Sequence, residues 1–118
     1  MANETIPRYE FVRLEGLPAL DCPCGKTRRA FADDGEKIVS MHLVEIEGDA
    51  KLHYHRRLTE VYYVLEGHGE MELDGQRHSI QPGDAVLVKP GCRHRALGEL
   101  KILNVVVPAF DPADEWFD

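Results

Sequence analysis

Glu70-Met71-Glu72-Leu73-Asp74-Gly75-Gln76-Arg77-His78-Ser79-Ile80 reads as two short strands joined by a two-residue loop. Asp-Gly suits a type I′ turn, which needs positive φ at both central positions and whose twist matches that of the flanking strands. The register this loop imposes sets Glu72 opposite Arg77, an opposite-charge cross-strand pair, and Met71 opposite His78. Outward from the hairpin the same punctuation recurs, at Gly48, Glu66-Gly67, Pro82-Gly83-Asp84, Lys89-Pro90-Gly91 and Gly98-Glu99. Between these points lie runs rich in Val, Leu, Ile and Tyr, at 38–46, 61–65, 85–88 and 100–107. Short strands with turns at that spacing predict an all-β sandwich or barrel.

The 118 residues are enough for one domain and one core. Lys and Arg number 14 against 21 Asp and Glu, a net charge of −7, which argues against a nucleic-acid partner. The longest unbroken apolar run is Val61 to Leu65, so no membrane span is expected. The polar start, Met1-Ala2-Asn3-Glu4-Thr5, has no apolar signal core and predicts a cytoplasmic protein. Three cysteines without a secretion signal predict reduced thiols. Residues 1–36 read as a strand and loop segment packing on a barrel formed by 37–118. Tyr9 to Leu14 alternates as a strand would. Leu17 to Asp34 has no clear period and reads as a long loop with a short strand near Arg28 to Phe31. At the far end Asp111 can cap a short helical turn that begins at Pro112.

The chemistry concentrates in Leu52-His53-Tyr54-His55-Arg56-Arg57-Leu58-Thr59-Glu60. Residues two apart in a strand share a face, so His53 and His55 project together and Tyr54 points away. Glu60 opens the next strand run and can turn back beside them. Two imidazoles and a carboxylate on one face suit a borderline divalent metal and leave positions open for substrate. His94 follows the Pro90-Gly91 turn in a stretch that alternates Cys92, His94 and Ala96 against Arg93 and Arg95, the pattern of an inward-facing histidine. An isolated His-x-His pair is common by chance, and six histidines in the chain make one such pair unremarkable.

The wider pattern resembles the cupins. Their first motif is seen as Gly48-x4-His53-x-His55-x4-Glu60-x6-Gly67, one residue short at the start, and their second as Gly83-x5-Lys89-Pro90-Gly91-x2-His94-x3-Gly98. Lys89 stands where the family has a proline and Gly98 where it has asparagine; neither is a ligand position. The resemblance covers roughly residues 38 to 110. It implies a single-domain jelly-roll β-barrel with one divalent transition metal (Fe, Mn, Ni or Zn) held by His53, His55, Glu60 and His94. Those are the four residues that strand parity and ligand type had brought together. It does not imply a reaction, because cupins include oxygenases, isomerases and epimerases, lyases and proteins that only bind small molecules.

Around this set, Tyr62 and Val64 share the parity of Glu60, with Tyr63 on the other side. Tyr62 and His78 are the inward candidates for proton transfer, although a core tyrosine and a buried or supporting histidine are the commoner occupants of such positions. Cys92 shares the parity of His94 and is read as a pocket wall or, less often in such positions, a reactive thiol. His42 and His68 are assigned no role. Lys51, Arg56, Arg57, Lys89, Arg93 and Arg95 lie close to the ligand runs, as a substrate-steering rim or, more commonly, as solvated surface. Cys22-Pro23-Cys24 has neither the spacing nor the second pair of a zinc ribbon. Gly25-Lys26-Thr27 lacks the upstream glycine of a phosphate-binding loop. Arg28 or Arg29 could reach the barrel mouth and hold a substrate carboxylate or phosphate. The absence of a general acid/base pair beside the ligands favours oxygenase chemistry on a small organic molecule, with isomerase, lyase or pure binding as alternatives. A homodimer is expected, with Tyr9 to Leu14 covering an open sheet edge of the partner.

Overall fold

The structure, a computed structural model, describes residues 8–22 and 24–118. Seven strands follow one another: β1 (Leu20–Cys22), β2 (Gly25–Ala30), β3 (Ser40–Asp49), β4 (Thr59–Leu73), β5 (Gln76–Ile80), β6 (Ala85–Val88) and β7 (His94–Val107). All pairings are antiparallel, in the order β1-β2-β3-β7-β4-β5, and β6 pairs β4. The molecule is all-β, as the turn spacing predicts. The two long strands β4 and β7 form its spine, with register from Thr59↔Val107 to Leu73↔His94. On the other edge of β4, β6 takes the first part of the strand and β5 the last.

The Asp74-Gly75 hairpin has the expected register, with Glu72 opposite Arg77 and Met71 opposite His78. Both loop residues have positive φ, 47° and 84°. The C-terminal turn is a single 3-10 turn, Pro112–Asp114, and the Asp111 carboxylate accepts from the Ala113 N–H.

Four expectations are corrected. Gly67 and Gly98 do not end strands; β4 and β7 run straight through them. Both glycines have positive φ, and a Cβ on Gly67 would lie 2.1 Å from the Glu99 carbonyl oxygen. Glycine here permits close backbone approach inside a sheet rather than a turn. His68 accordingly sits in β4, exposed, and not in a turn. Tyr9 to Leu14 joins no ladder and runs into a 3-10 turn at Leu14–Gly16. Between Leu17 and Asp34, β1 and β2 form a hairpin that hydrogen-bonds along β3, from Gly25↔Ile46 to Ala30↔Met41, so this segment is an integral part of the sheet. Weak periodicity hid it because the strands are short and rich in charge. Cys22 and Cys24 flank the hairpin turn and are joined in a disulfide, against the expectation of free thiols. The count of cysteines misled because local chain reversal, not loop closure at long range, brings this pair together.

The core is Val44, Ile46, Val64, Met71, Ile80, Ala96, Leu100 and Ile102, the inward sides of β3, β4, β5 and β7. Four of these residues, Val44, Ile46, Ala96 and Ile102, also line the cavity that carries the polar groups described next. Among the described residues, no helix is long and apolar enough to cross a membrane.

Candidate metal centre

His53, His55, Glu60 and His94 come together, with one ligand atom from each lying within 4.8 Å of the others. The segment carrying His53 and His55 is not a regular strand. It is held by an isolated bridge, in which His53 and His94 exchange both backbone N–H···O bonds, 3.2 and 2.9 Å. Parity still applies locally, so both imidazoles face inward, while Tyr54 turns away to bridge Trp116. Glu60 and His94 stand near the starts of β4 and β7, and both are buried.

Each imidazole has its Nδ1 beside a main-chain carbonyl: His53 to Lys51 at 2.8 Å, His55 to Asp114 at 2.8 Å and His94 to Cys92 at 2.9 Å. A carbonyl only accepts, so each Nδ1 carries the proton and a neutral ring presents a bare Nε2 lone pair. The Nε2 atoms of His55 and His94 each lie 2.9 Å from Glu60 Oε1. Yet all three atoms are buried without a hydrogen-bond partner, because the approach lacks hydrogen-bond alignment. Lone pairs facing a carboxylate oxygen at that distance repel unless a positive charge lies among them. Donors that share one cation stand about this far apart, so the two 2.9 Å separations at Glu60 Oε1 fit a common ion, with His53 within 4.8 Å of the other three. The donor set fits a divalent transition ion.

In the metal-free protein a proton on a neighbouring imidazole takes the place of the ion: burial raises the cost of charge on Glu60, but His55 and His94, as donors to it, outweigh this and hold its carboxyl well below the usual carboxylate range. Burial likewise pushes His55 down, and the Glu60 carboxylate reverses the sign and raises it. The other carboxylate oxygen, Oε2, accepts from Asn104 Nδ2 at 2.7 Å and from the Tyr62 hydroxyl at 3.2 Å. Burial and the Glu60 charge push the Tyr62 phenol well above its ordinary value, so it stays protonated as a donor.

The centre opens into a cavity of about 130 Å³. Its walls include Val44, Ile46, Ile102, Phe110 and Phe117, and its polar lining adds Arg29, His42, Tyr62 and Asn104. Sequence parity placed Tyr62 correctly. His78, the other proton-transfer candidate, is exposed on β5 and does not line the cavity. Cys92 is no pocket wall: its thiol leans on the Arg93 carbonyl, and burial together with the nearby Asp74 pushes its pKa up, opposite to a reactive thiolate. Of the basic residues near the ligand runs, Lys51 and Arg95 line the cavity, and five of the six are engaged in contacts within the chain. Lys51 lies over the Phe117 ring and Arg56 over Trp116, Arg57 pairs with Asp111, Arg93 with Asp118, and Arg95 with Glu72. Four of these contacts pin the C-terminal tail.

Two cavity residues were missed from the sequence, His42 and Asn104. Each is a polar residue within an otherwise apolar strand run, which is the signal that could have found them. His42, assigned no role, is buried, and its Nε2 lies 2.8 Å from Ser40 Oγ.

The cupin domain family matches residues 40–106, more than half of the chain. The protein is a cupin. An uncharacterized protein of Methanocaldococcus jannaschii is 33% identical over 76 residues, 61% of this chain and 61% of that protein. The chain thus spans about three fifths of the length of the curated relatives it matches. Among solved structures, a protein from Planctomyces limnophilus is 42% identical with a TM-score of 0.87, covering 92% of this cupin and 96% of that chain. The nucleoside dehydratase Pac13 of Streptomyces shares the fold at 20% identity and a TM-score of 0.77, covering 93% of this chain and 90% of its own.

Proposed function

We propose that this cupin is a metal-dependent oxygenase acting on a small organic molecule, with His53, His55, Glu60 and His94 as the ligands. The observation that carries the metal reading is the convergence of unpartnered lone pairs from His55, His94 and Glu60 at one buried point. When bound, the metal supplies a Lewis-acidic centre that couples substrate and dioxygen; Fe, Mn, Ni and Zn all suit the donor set for binding, and only the redox-active ions suit oxygenation. The chain's own groups orient and shield. Three carbonyls fix the imidazole tautomers, Asn104 and Tyr62 hold the carboxylate, and Val44, Ile46 and Ile102 keep the cavity wall dry. Oxygenation is favoured because the polar side chains beside the ligands are already committed. Tyr62 and Asn104 both donate to Glu60, and Glu115, the other carboxylate that lines the cavity, lies against His53 Nε2 at 3.8 Å.

A second reading, lyase or isomerase chemistry, draws support from His42. It lines the same cavity in its neutral form, since burial and the Arg29 charge hold its pKa down at about 4. The similarity in fold to a dehydratase is compatible with it. Oxygen uptake by Fe(II)- or Mn(II)-loaded protein with candidate substrates separates the two. Uptake lost in Glu60→Ala supports oxygenation; anaerobic turnover that exchanges solvent deuterium into product supports proton transfer.

We also propose a homodimer. Tyr9 and Phe11 are 82% and 87% exposed, and Val61, Tyr63, Leu65 and Leu87 form an apolar outer face on β4 and β6.

A further inference from the structure

Four cavity residues lie directly opposite one another across four strands. Arg29 of β2 pairs with His42 of β3, His42 with Asn104 of β7, and Asn104 with Tyr62 of β4. The row ends at the metal centre, through the Asn104 and Tyr62 bonds to Glu60. The next inward row, Thr27, Val44, Ile102 and Val64, is almost wholly apolar. With strands about 4.8 Å apart, the Arg29 and Asn104 backbones stand roughly 10 Å from each other, the span of a small molecule once the side chains reach inward.

The polar atoms of this row are incompletely satisfied. Among the described residues the Arg29 side chain makes no hydrogen bond or ion pair, and its Nε is buried without an acceptor. Phe110 fixes its guanidinium, which lies 4.9 Å over the ring, while His42 packs edge-on against the same ring at 5.4 Å. Arg28, by contrast, turns outward to the carbonyls of Glu15 and Leu17. Ser40 Oγ accepts from the Phe110 N–H at 2.9 Å and lies 2.8 Å from His42 Nε2; when its hydroxyl donates to that nitrogen, the ring's Nδ1–H is a donor. Asn104 must give its amide hydrogen to the Glu60 carboxylate, which leaves Oδ1 as an acceptor, buried and unpartnered. An uncompensated guanidinium with a second donor beside it calls for an anion, and the orphaned Asn104 oxygen calls for a donor between that anion and the metal.

The geometry points to a small hydroxy acid as the ligand of this cavity, its carboxylate on Arg29 and its hydroxyl donating to Asn104 Oδ1. This assignment rests on the reading of the cavity as a substrate site, and it names the class of molecule that enters. A phosphate ester would meet the same guanidinium, but it would bring several acceptor oxygens and no donor for Asn104.

Calorimetric titration tests it with 3-hydroxybutyrate, 4-hydroxybutyrate and 3-hydroxyglutarate, each against its amide, on metal-free and Zn(II)-loaded protein. At least one acid is expected to bind at least tenfold more tightly than its amide. Arg29→Met should remove that preference, Arg29→Lys should restore part of it, and metal content should stay unchanged in both variants. Three results overturn the assignment: acids binding no better than amides, Arg29→Met binding like the parent protein, or inorganic phosphate outcompeting every hydroxy acid. Elemental analysis keeps the two readings apart. Protein that takes up no metal yet shows Arg29-dependent acid binding would refute the metal centre and leave the hydroxy-acid site standing.

Discussion

His55 Nδ1 lies 2.8 Å from the main-chain carbonyl of Asp114, 59 residues further along the chain. The C-terminal tail therefore fixes the tautomer and tilt of one prospective metal ligand. The Asp114 side chain secures the same join. Its carboxylate accepts from the backbone N–H groups of Arg56, Arg57 and Leu58 at 2.9 to 3.1 Å and from Trp116 Nε1 at 3.0 Å. These donors hold the Asp114 pKa down at about 2 against the opposing effect of burial.

Asp114→Ala leaves three backbone N–H groups without their acceptor and frees the loop between His55 and Glu60. We expect a loss of roughly 2–4 kcal/mol in stability, with weaker metal binding as well. Asp114→Asn, which keeps an acceptor oxygen, should recover part of both. Thermal melts with and without Zn(II) check this; equal melting temperatures for Asp114→Ala and the parent would refute the role.

Gly67→Ala should be far more damaging than Gly75→Ala, although both glycines have positive φ. At Gly67 the new Cβ would meet the Glu99 carbonyl oxygen at 2.1 Å, whereas nothing lies within 4 Å at Gly75. The exposed turn position should cost about 1–2 kcal/mol, while the strand position also has to push β4 and β7 apart. Urea unfolding of the two variants gives the comparison.

The contrast between those glycines marks what the sequence could reveal. Asp74-Gly75 carries its turn in its own dipeptide chemistry, so the hairpin and its register were legible residue by residue. Gly67 and Gly98 look the same on paper, but their reason for being glycine is a neighbouring strand. The cluster of His53, His55, Glu60 and His94 was legible because these residues obey strand parity within short segments. Arg29, His42 and Asn104 belong together only through the cross-strand register of β2, β3 and β7, which no local pattern contains. The tail's hold on His55 was hidden for the same reason, since a main-chain carbonyl has no sequence signature.

Assembly is open to direct measurement. The proposed homodimer predicts a mass by light scattering of twice the chain mass at tens of micromolar. Replacing Tyr63 and Leu87, 44% and 58% exposed on the outer face, with Lys should return the monomer mass without loss of fold. A parent protein that already scatters as a monomer would rule the dimer out.

Metal removal should reveal how far the cluster depends on a cation. Without one, the buried His55, His94 and Glu60 must share protons at a single point, a weaker tie than a shared cation, so chelation is expected to lower the melting temperature. Free metal at a hundred times its dissociation constant should restore about 2.7 kcal/mol. His94→Ala, and separately His53→Ala, should bind substoichiometric metal by elemental analysis. Parent-like metal content in both variants would sink the ligand assignment.

The last expectation concerns acid. Buried His42 has its pKa lowered from 6.5 to about 4, by burial first and then by the Arg29 charge, with Glu60 acting weakly the other way. The unfolded chain therefore binds a proton at this residue from about pH 6.5 downward, while the folded one resists until about pH 4. Between those values the unfolded state holds more protons, so stability falls as pH falls. At about 1.36 kcal/mol per unit the loss approaches roughly 3 kcal/mol by pH 4. Replacing the ring with a group that cannot ionise should flatten this slope: His42→Gln is expected to be less stable than the parent at pH 7.5 but to lose less on going to pH 4.5. Asp114 does not confuse the result, because a carboxyl held at about 2 loses its contribution only below this window. Denaturant titrations at half-unit pH steps, run on metal-free protein so that ligand protonation by metal release does not intrude, measure the slope. Parallel curves for His42→Gln and the parent would show that His42 does not carry the charge-free state assigned to it.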